Sequence, residues 1–340
     1  MNEEKYRKLY LEGAVNLINS LELNAGDSLI IVSSESSKDF SNYILKGAKQ
    51  EKIDNIVYIV LPDIYRPVTK IPSSLSGAIE RAKGLIHIVN RVPEENFTFN
   101  RPLEDLCVEY KCKYVYIYDP KIQYLKEGIL ADYTEVYKKA NKIKKILENS
   151  KEINVTSKIG TNLSFKIYTS NIIPRSPIFP KGFYWNQAPE GEVMTCPIED
   201  TFNGKLVVDG PVTGRGQPEG PIIWTFKDGV VTKVEGDNKF LSSLLSNLQA
   251  SDKRLKSFIG IWIAEFSVGV NDWAVFDNNI SNCEKVSGGL HFAMGNSEGL
   301  GIERGETFHF DNIVKTPTTI VITDKNSEKL TLTKLGKLMI

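Results

Sequence analysis

His309 and Asp311 stand two residues apart in Thr307-Phe308-His309-Phe310-Asp311. A strand over this segment puts both on one face and the phenylalanines on the other. An imidazole and a carboxylate about 7 Å apart along a strand, pointing the same way, can close on one metal ion. The chain has only three histidines, and a second, His291, sits alone in the apolar run Leu290-His291-Phe292-Ala293-Met294. Two histidines and a carboxylate are the ligand set of a mononuclear Fe(II) facial triad, and equally one half of a two-metal hydrolase site. The competing reading is a core hydrogen bond between His309 and Asp311 with His291 as a lone polar residue in a strand. It leaves charge buried without a partner.

Two glutamates bear on whether one ion or two is held. Glu265 lies in the strongly apolar segment Phe258 to Val270, where its charge calls for a metal or a buried Lys or Arg. Glu192 follows Ala188-Pro189-Glu190-Gly191 in a loop entering a short strand, where it is either a ligand or half of a solvated acidic pair with Glu190. Glu192, Glu265, His291, His309 and Asp311 together offer enough donors for two ions. No serine or cysteine has the setting of a nucleophile elbow, so covalent catalysis is not indicated.

The elements that must carry these residues fall into two textures. In the first half, helical spacing of Tyr6, Leu9, Tyr10, Ala14, Leu17, Ile18 and Leu21 precedes a short apolar run, Leu29 to Val32. Asp39 to Gln50 reads as helix, Ile56 to Leu61 as strand, Ala78 to Lys83 as a helix leading into strand Leu85 to Val89, and Lys113 to Tyr118 as a further strand. Continuous apolar strands between helices predict a mostly parallel sheet covered on both faces. It has neither GxGxxG nor GxxxxGK[ST], so no nucleotide site is assigned. Val136, Ala140, Ile143 and Leu147 stripe a lysine-rich helix at the join, with Lys138, Lys139, Lys142, Lys144 and Lys145 as its wet face. Beyond it, alternating strands with a hairpin signal at Lys227-Asp228-Gly229 and one helix near Lys239 to Leu248 predict a β-rich domain. The loop from Pro174 to Pro189, with its prolines and aromatics, either roofs a site or packs against a neighbour. The expected fold is therefore α/β: an N-terminal α/β domain over 1–150 with a mostly parallel sheet, and a β-rich α+β metal-binding domain over 151–340.

Composition narrows the partners. The 340 residues are 41% hydrophobic and 25% charged, with 42 basic and 42 acidic side chains. The charges divide almost evenly between the halves, so neither is a polyanion-binding lobe and nucleic acid is not expected. Four scattered cysteines make no disulfide framework and point to a reducing, cytoplasmic setting. No stretch approaches the roughly 18 apolar residues of a membrane span, and the opening MNEEKYRKLY has no apolar h-region, so a cytosolic protein is expected.

The ordered set Gly160 to Phe165, Pro189 to Pro197, Ile263 to Asn271, His291 to Gly295 and His309 to Asp311 resembles the thermophilic aminopeptidase family of two-metal peptidases. The resemblance implies that Glu192, Glu265, His291, His309 and Asp311 bind two ions such as Zn, Co or Mn. It further implies that a metal-activated water removes N-terminal residues from small peptides, and that the protein is a homodimer. Two positions depart from the pattern: Glu298 stands where those peptidases have a tyrosine ligand, and Gly191 where they have an acidic residue. Glu298 is then the candidate base or substitute ligand, with Glu190 as a second candidate to shuttle the proton. A branch of the same superfamily, similar to 2,5-dihydroxypyridine dioxygenases, holds one Fe(II) with two histidines and an aspartate and opens an aromatic ring with oxygen. That branch is the alternative expectation. A metal that only staples the β-rich half of a binding protein is the third.

Overall fold

The computed structural model describes residues 3–303 and 306–340. From the N-terminus, α1 (Glu3–Ser20), β1 (Ser28–Ser34), α2 (Lys38–Gln50), β2 (Asn55–Leu61), α3 (Ser73–Ile79), β3 (Gly84–Val89), α4 (Arg101–Glu109) and β4 (Lys113–Tyr118) alternate. Next come α5 (Tyr133–Glu148), β5 (Ser150–Ser157), β6 (Asn162–Phe165), β7 (Ile173–Arg175), β8 (Trp185–Gln187), β9 (Glu192–Thr195) and β10 (Asn203–Val208). The chain continues through β11 (Ile222–Lys227), β12 (Val230–Glu235), α6 (Asn238–Ser251), β13 (Ile263–Gly269), α7 (Ile280–Cys283), β14 (Leu290–Gly295) and β15 (His309–Val314). It closes with β16 (Thr318–Asp324), β17 (Lys329–Lys334) and β18 (Lys337–Leu338).

Two compact units result. The first comprises the described part of Met1–Thr134 with Ser176–Glu190, and the second Glu135–Arg175 with Gly191–Ile340. In the first, the parallel sheet has the order β2-β1-β3-β4-β8. Leu29, Ile31, Ile86 and Ile88 face a core with Ala14, Leu17, Phe40 and Ile44 of α1 and α2. Ile30, Val32, Leu85 and Val89 face Leu75, Ile79, Leu103 and Cys107 of α3 and α4. Burial on both faces is why these strands read as unbroken apolar runs.

The second unit has an eight-stranded antiparallel sheet, β12-β11-β10-β6-β5-β16-β17-β18, and a five-stranded antiparallel sheet, β15-β14-β13-β9-β7. They pack through an aromatic cluster of Phe165, Phe202, Phe266 and Phe292, with ring centroids 4.9 to 6.0 Å apart. The hairpin expected at Lys227-Asp228-Gly229 joins β11 to β12.

Three details differ from the sequence expectation. The first unit gives way before the apolar stripe of α5 and not at residue 150, because Val136, Ala140, Ile143 and Leu147 are buried and α5 belongs to the second unit from Glu135 onward. The proline-rich segment is no single loop: β7 is an edge strand of the five-stranded sheet, and β8 is the last strand of the parallel one. The helix before β3 ends at Ile79, earlier than the apolar pattern placed it. Among the described residues, no helix is long and apolar enough to cross a membrane.

Candidate metal centre

Strand register assembles the centre. In the five-stranded sheet Glu265 pairs with Ala293 and Ala293 with Asp311, while Ser267 pairs with His291 and with Met194. Gly269 pairs with Glu192, and Gly295 with His309. The alternation of a strand then divides the residues. Phe266, Val268, Leu290, Phe292 and Phe310 lie on one face, while Glu192, Met194, Glu265, Ser267, His291, Ala293, His309 and Asp311 lie on the other. All five residues singled out as ligands thus share one face of one sheet, on four strands.

Their side chains converge. His291 Nε2 is 3.1 Å from Glu265 Oε1 and 3.7 Å from Glu192 Oε2. His309 Nε2 is 3.2 Å from Asp311 Oδ1 and 3.7 Å from Glu265 Oε2. The other ring nitrogen of His309, Nδ1, lies 2.7 Å from the Asn296 carbonyl, and the Thr213 hydroxyl donates to Asp311 Oδ2 at 2.8 Å. Burial pushes the His291 imidazole down, but the hydrogen bond to Glu265 and the charges of Glu192 and Glu284 carry it up to about 9. His309 is likewise pushed down by desolvation and carried up to about 10 by Asp311 and Glu265. Asp311 is held below the usual carboxylate range: burial raises it, and the facing His309 more than compensates.

Glu192 is not half of a solvated pair with Glu190; both side chains are buried. Glu192 Oε2 accepts from the Ser267 hydroxyl at 2.9 Å, and its Oε1 lies 2.5 Å from the ammonium of Lys285, which also reaches Glu284 Oε2 at 3.0 Å. Burial raises the Glu192 carboxyl, and the Lys285 and His291 charges together bring it below its ordinary value. Glu284 and Lys285 went unnoticed in the sequence because they stand in the polar run Ser281 to Ser287, with no strand alternation to single them out. The buried Lys sought for Glu265 exists, but it serves Glu192.

Gly269 permits that approach, since a Cβ there would lie 2.2 Å from the Val286 carbonyl oxygen and 2.8 Å from that of Glu284. Gly191 also has a local cause. Its φ is +139°, and a Cβ would come within 2.9 Å of Val136 Cγ1 and 3.0 Å of Asn271 Cβ, so an acidic side chain has no room there.

The centre opens at Glu265 and His309 into a cavity of about 320 Å³ lined also by Met194, Asn296, Leu300, Thr307 and Phe308. Glu298 lines this cavity too, exposed, at the start of a short helical turn whose first N–H donates to Asn296 Oδ1 at 2.6 Å. It belongs to none of the donor groups found among the described residues.

The donors fit a divalent cation. Among the described residues, three groups bring their ligand atoms within 4.8 Å of one another: Glu192, Glu265 and His291; Glu265, His309 and Asp311; and Glu284, His291 and Asp311. His309 turns one nitrogen to a backbone carbonyl and the other to the carboxylates, the arrangement of a metal-ligating histidine with its supporting hydrogen bond. Buried His291 Nδ1 has no hydrogen-bond partner among the described residues.

Comparison with known proteins places this geometry. Over its full length the chain is similar to the structure of 2,5-dihydroxypyridine dioxygenase from Pseudomonas putida KT2440, at 16% identity and a TM-score of 0.68, covering 98% of that chain. It is similar also to wild-type AmpT from Thermus thermophilus, at 14% identity and a TM-score of 0.70, covering 98% of this chain and 100% of that one. Identities this low establish the shared α/β fold. No curated protein matches the sequence. A family model does match, over residues 102–327, which include every donor of the centre, and the chain belongs to the 2,5-dihydroxypyridine 5,6-dioxygenase (NicX) family.

Proposed function

We propose that this protein is a mononuclear Fe(II) dioxygenase acting on a hydroxylated aromatic ring, with His291, His309 and Asp311 as the ion's protein ligands. The observation that carries this reading is the opening of the donor cluster, at Glu265 and His309, into a cavity of about 320 Å³ walled by Met194, Leu300 and Phe308. That volume is at the small end of ligand sites, and apolar walls with Asn296 and Thr307 among them suit a single flat ring bearing hydroxyl groups. Bound Fe(II) would supply the open coordination positions and the redox path through which the ring's own electrons reduce oxygen. Phe308 and Leu300 would hold the ring, and Glu265, which lines both cluster and cavity, is the carboxylate placed to take a hydroxyl proton.

Aminopeptidase-like hydrolysis is the second reading, favoured by the presence of Glu192, Glu265, His291, His309 and Asp311 on one sheet face. There two ions such as Zn, Co or Mn would lower the pKa of a bound water. Oxygen uptake by the Fe(II)-loaded protein, measured across hydroxylated pyridines and benzenes beside a panel of dipeptides and aminoacyl amides, separates the two. Ring-dependent oxygen consumption is the expected result. Peptide turnover without oxygen uptake would overturn the proposal in favour of the hydrolase.

A further inference from the structure

We infer that Lys285 is the centre's resident second cation: its ammonium occupies the position beside Glu192 that a second divalent ion would need, and so holds the protein to one ion. The inference rests on the metal reading above. Of the three donor groups, one contains Glu192 and another Glu284, the two carboxylates that Lys285 bridges at 2.5 and 3.0 Å. The remaining group, Glu265, His309 and Asp311, contains neither of those carboxylates, and its His309 and Asp311, with His291, are the ligands proposed above for the one ion. Ser267 donates to the second oxygen of Glu192, so both oxygens of that carboxylate are already engaged. A divalent ion sharing Glu192 with an ammonium would be repelled by it at a separation where the buried setting screens little.

The fold fixes this cation in place. Lys285 is 1% exposed. Its carbonyl accepts from Asn271 N at 2.9 Å and its own N–H donates to the Asn282 carbonyl at 3.2 Å. The Gly288 N–H donates to the Gly269 carbonyl at 2.9 Å, pinning the segment to the end of β13. In a chain with Glu192, Glu265, His291, His309 and Asp311 on one sheet face, a built-in ammonium supplies a second positive charge without a coordination sphere.

The test is metal stoichiometry, by elemental mass spectrometry after loading with Mn(II) and removal of free ion, together with the Mn(II) electron paramagnetic resonance spectrum. The wild-type chain is expected to hold one ion with an uncoupled spectrum, and Lys285→Met two ions with a spin-coupled spectrum. Should Lys285→Met fail to fold, the charge-conserving pair Lys285→Gln with Glu284→Gln keeps Glu192, Glu265 and His291 in place and is expected to hold two. One ion in the wild type and one in a folded variant would overturn the role of Lys285 and leave the one-ion reading standing. Two ions in the wild type would overturn both, and none would overturn the metal reading itself.

Discussion

Ala293 lies directly between Glu265 and Asp311 in the register of β13, β14 and β15, with its methyl group on the face that carries the donors. Ala293→Leu would put three further carbons where the donors converge. We expect bound metal to be lost and stability to fall by about 1–3 kcal/mol from overpacking. Elemental analysis beside urea unfolding checks both, and retention of wild-type metal content would show that the donors do not meet above this residue. Glu298 presents the opposite case. It is exposed at the cavity rim and shares no donor group with the histidines. Glu298→Gln is therefore expected to change KM and leave kcat unaltered, whereas a general base would cost about 100-fold or more in kcat.

At the scale of elements, the close passage of residues 284–286 over the end of β13 depends on Gly269 having no side chain. Gly269→Ala is expected to push that segment away and part Lys285 from Glu192, and breaking a buried pair of this kind costs about 3–5 kcal/mol. Urea unfolding gives the answer, and a change within about 0.5 kcal/mol would mean the segment shifts with the pair intact. This contact also marks where the sequence stops being readable. His309 and Asp311 could be placed on one face because a strand has a period of two, and Glu265 and His291 stood out because charge in an apolar strand demands a partner. The parallel sheet was legible from its doubly buried runs. Glu284 and Lys285 were not, since a loop's path is set by contacts far away in sequence and not by its own pattern. β8 was hidden for a related reason: three residues among prolines carry no periodicity, and pairing with Tyr114 to Tyr116 makes them a strand.

In the whole molecule, the two compact units carry different liabilities. The second depends on charge balance at the metal centre. The first buries a histidine that no centre uses. His87, on β3, is fully enclosed; its Nδ1 lies 2.9 Å from the Tyr114 hydroxyl and its Nε2 has no hydrogen-bond partner among the described residues. Burial, reinforced by the charge of Arg66, holds its pKa down to about 3, against an ordinary value of 6.5. As pH falls below 6.5 the unfolded chain takes up this proton first, so stability declines through the window from 6.5 to 3 and is unaffected above it. The slope is about 1.4 kcal/mol per pH unit, or roughly 3 kcal/mol by pH 4.5. Carboxylates titrate in the same window, so the contribution of His87 is the difference between the wild type and His87→Phe, which cannot take up the proton in either state. Amide hydrogen exchange, corrected for the intrinsic pH dependence of exchange, reads that difference segment by segment. Protection in β3 and β4 should decline more steeply from pH 6.5 to 4.5 in the wild type than in the variant. Removal of metal by a chelator at neutral pH should instead lower protection in β9, β13, β14 and β15 and leave the parallel sheet unchanged. Equal pH slopes in wild type and variant would mean that His87 accepts its proton inside the folded unit.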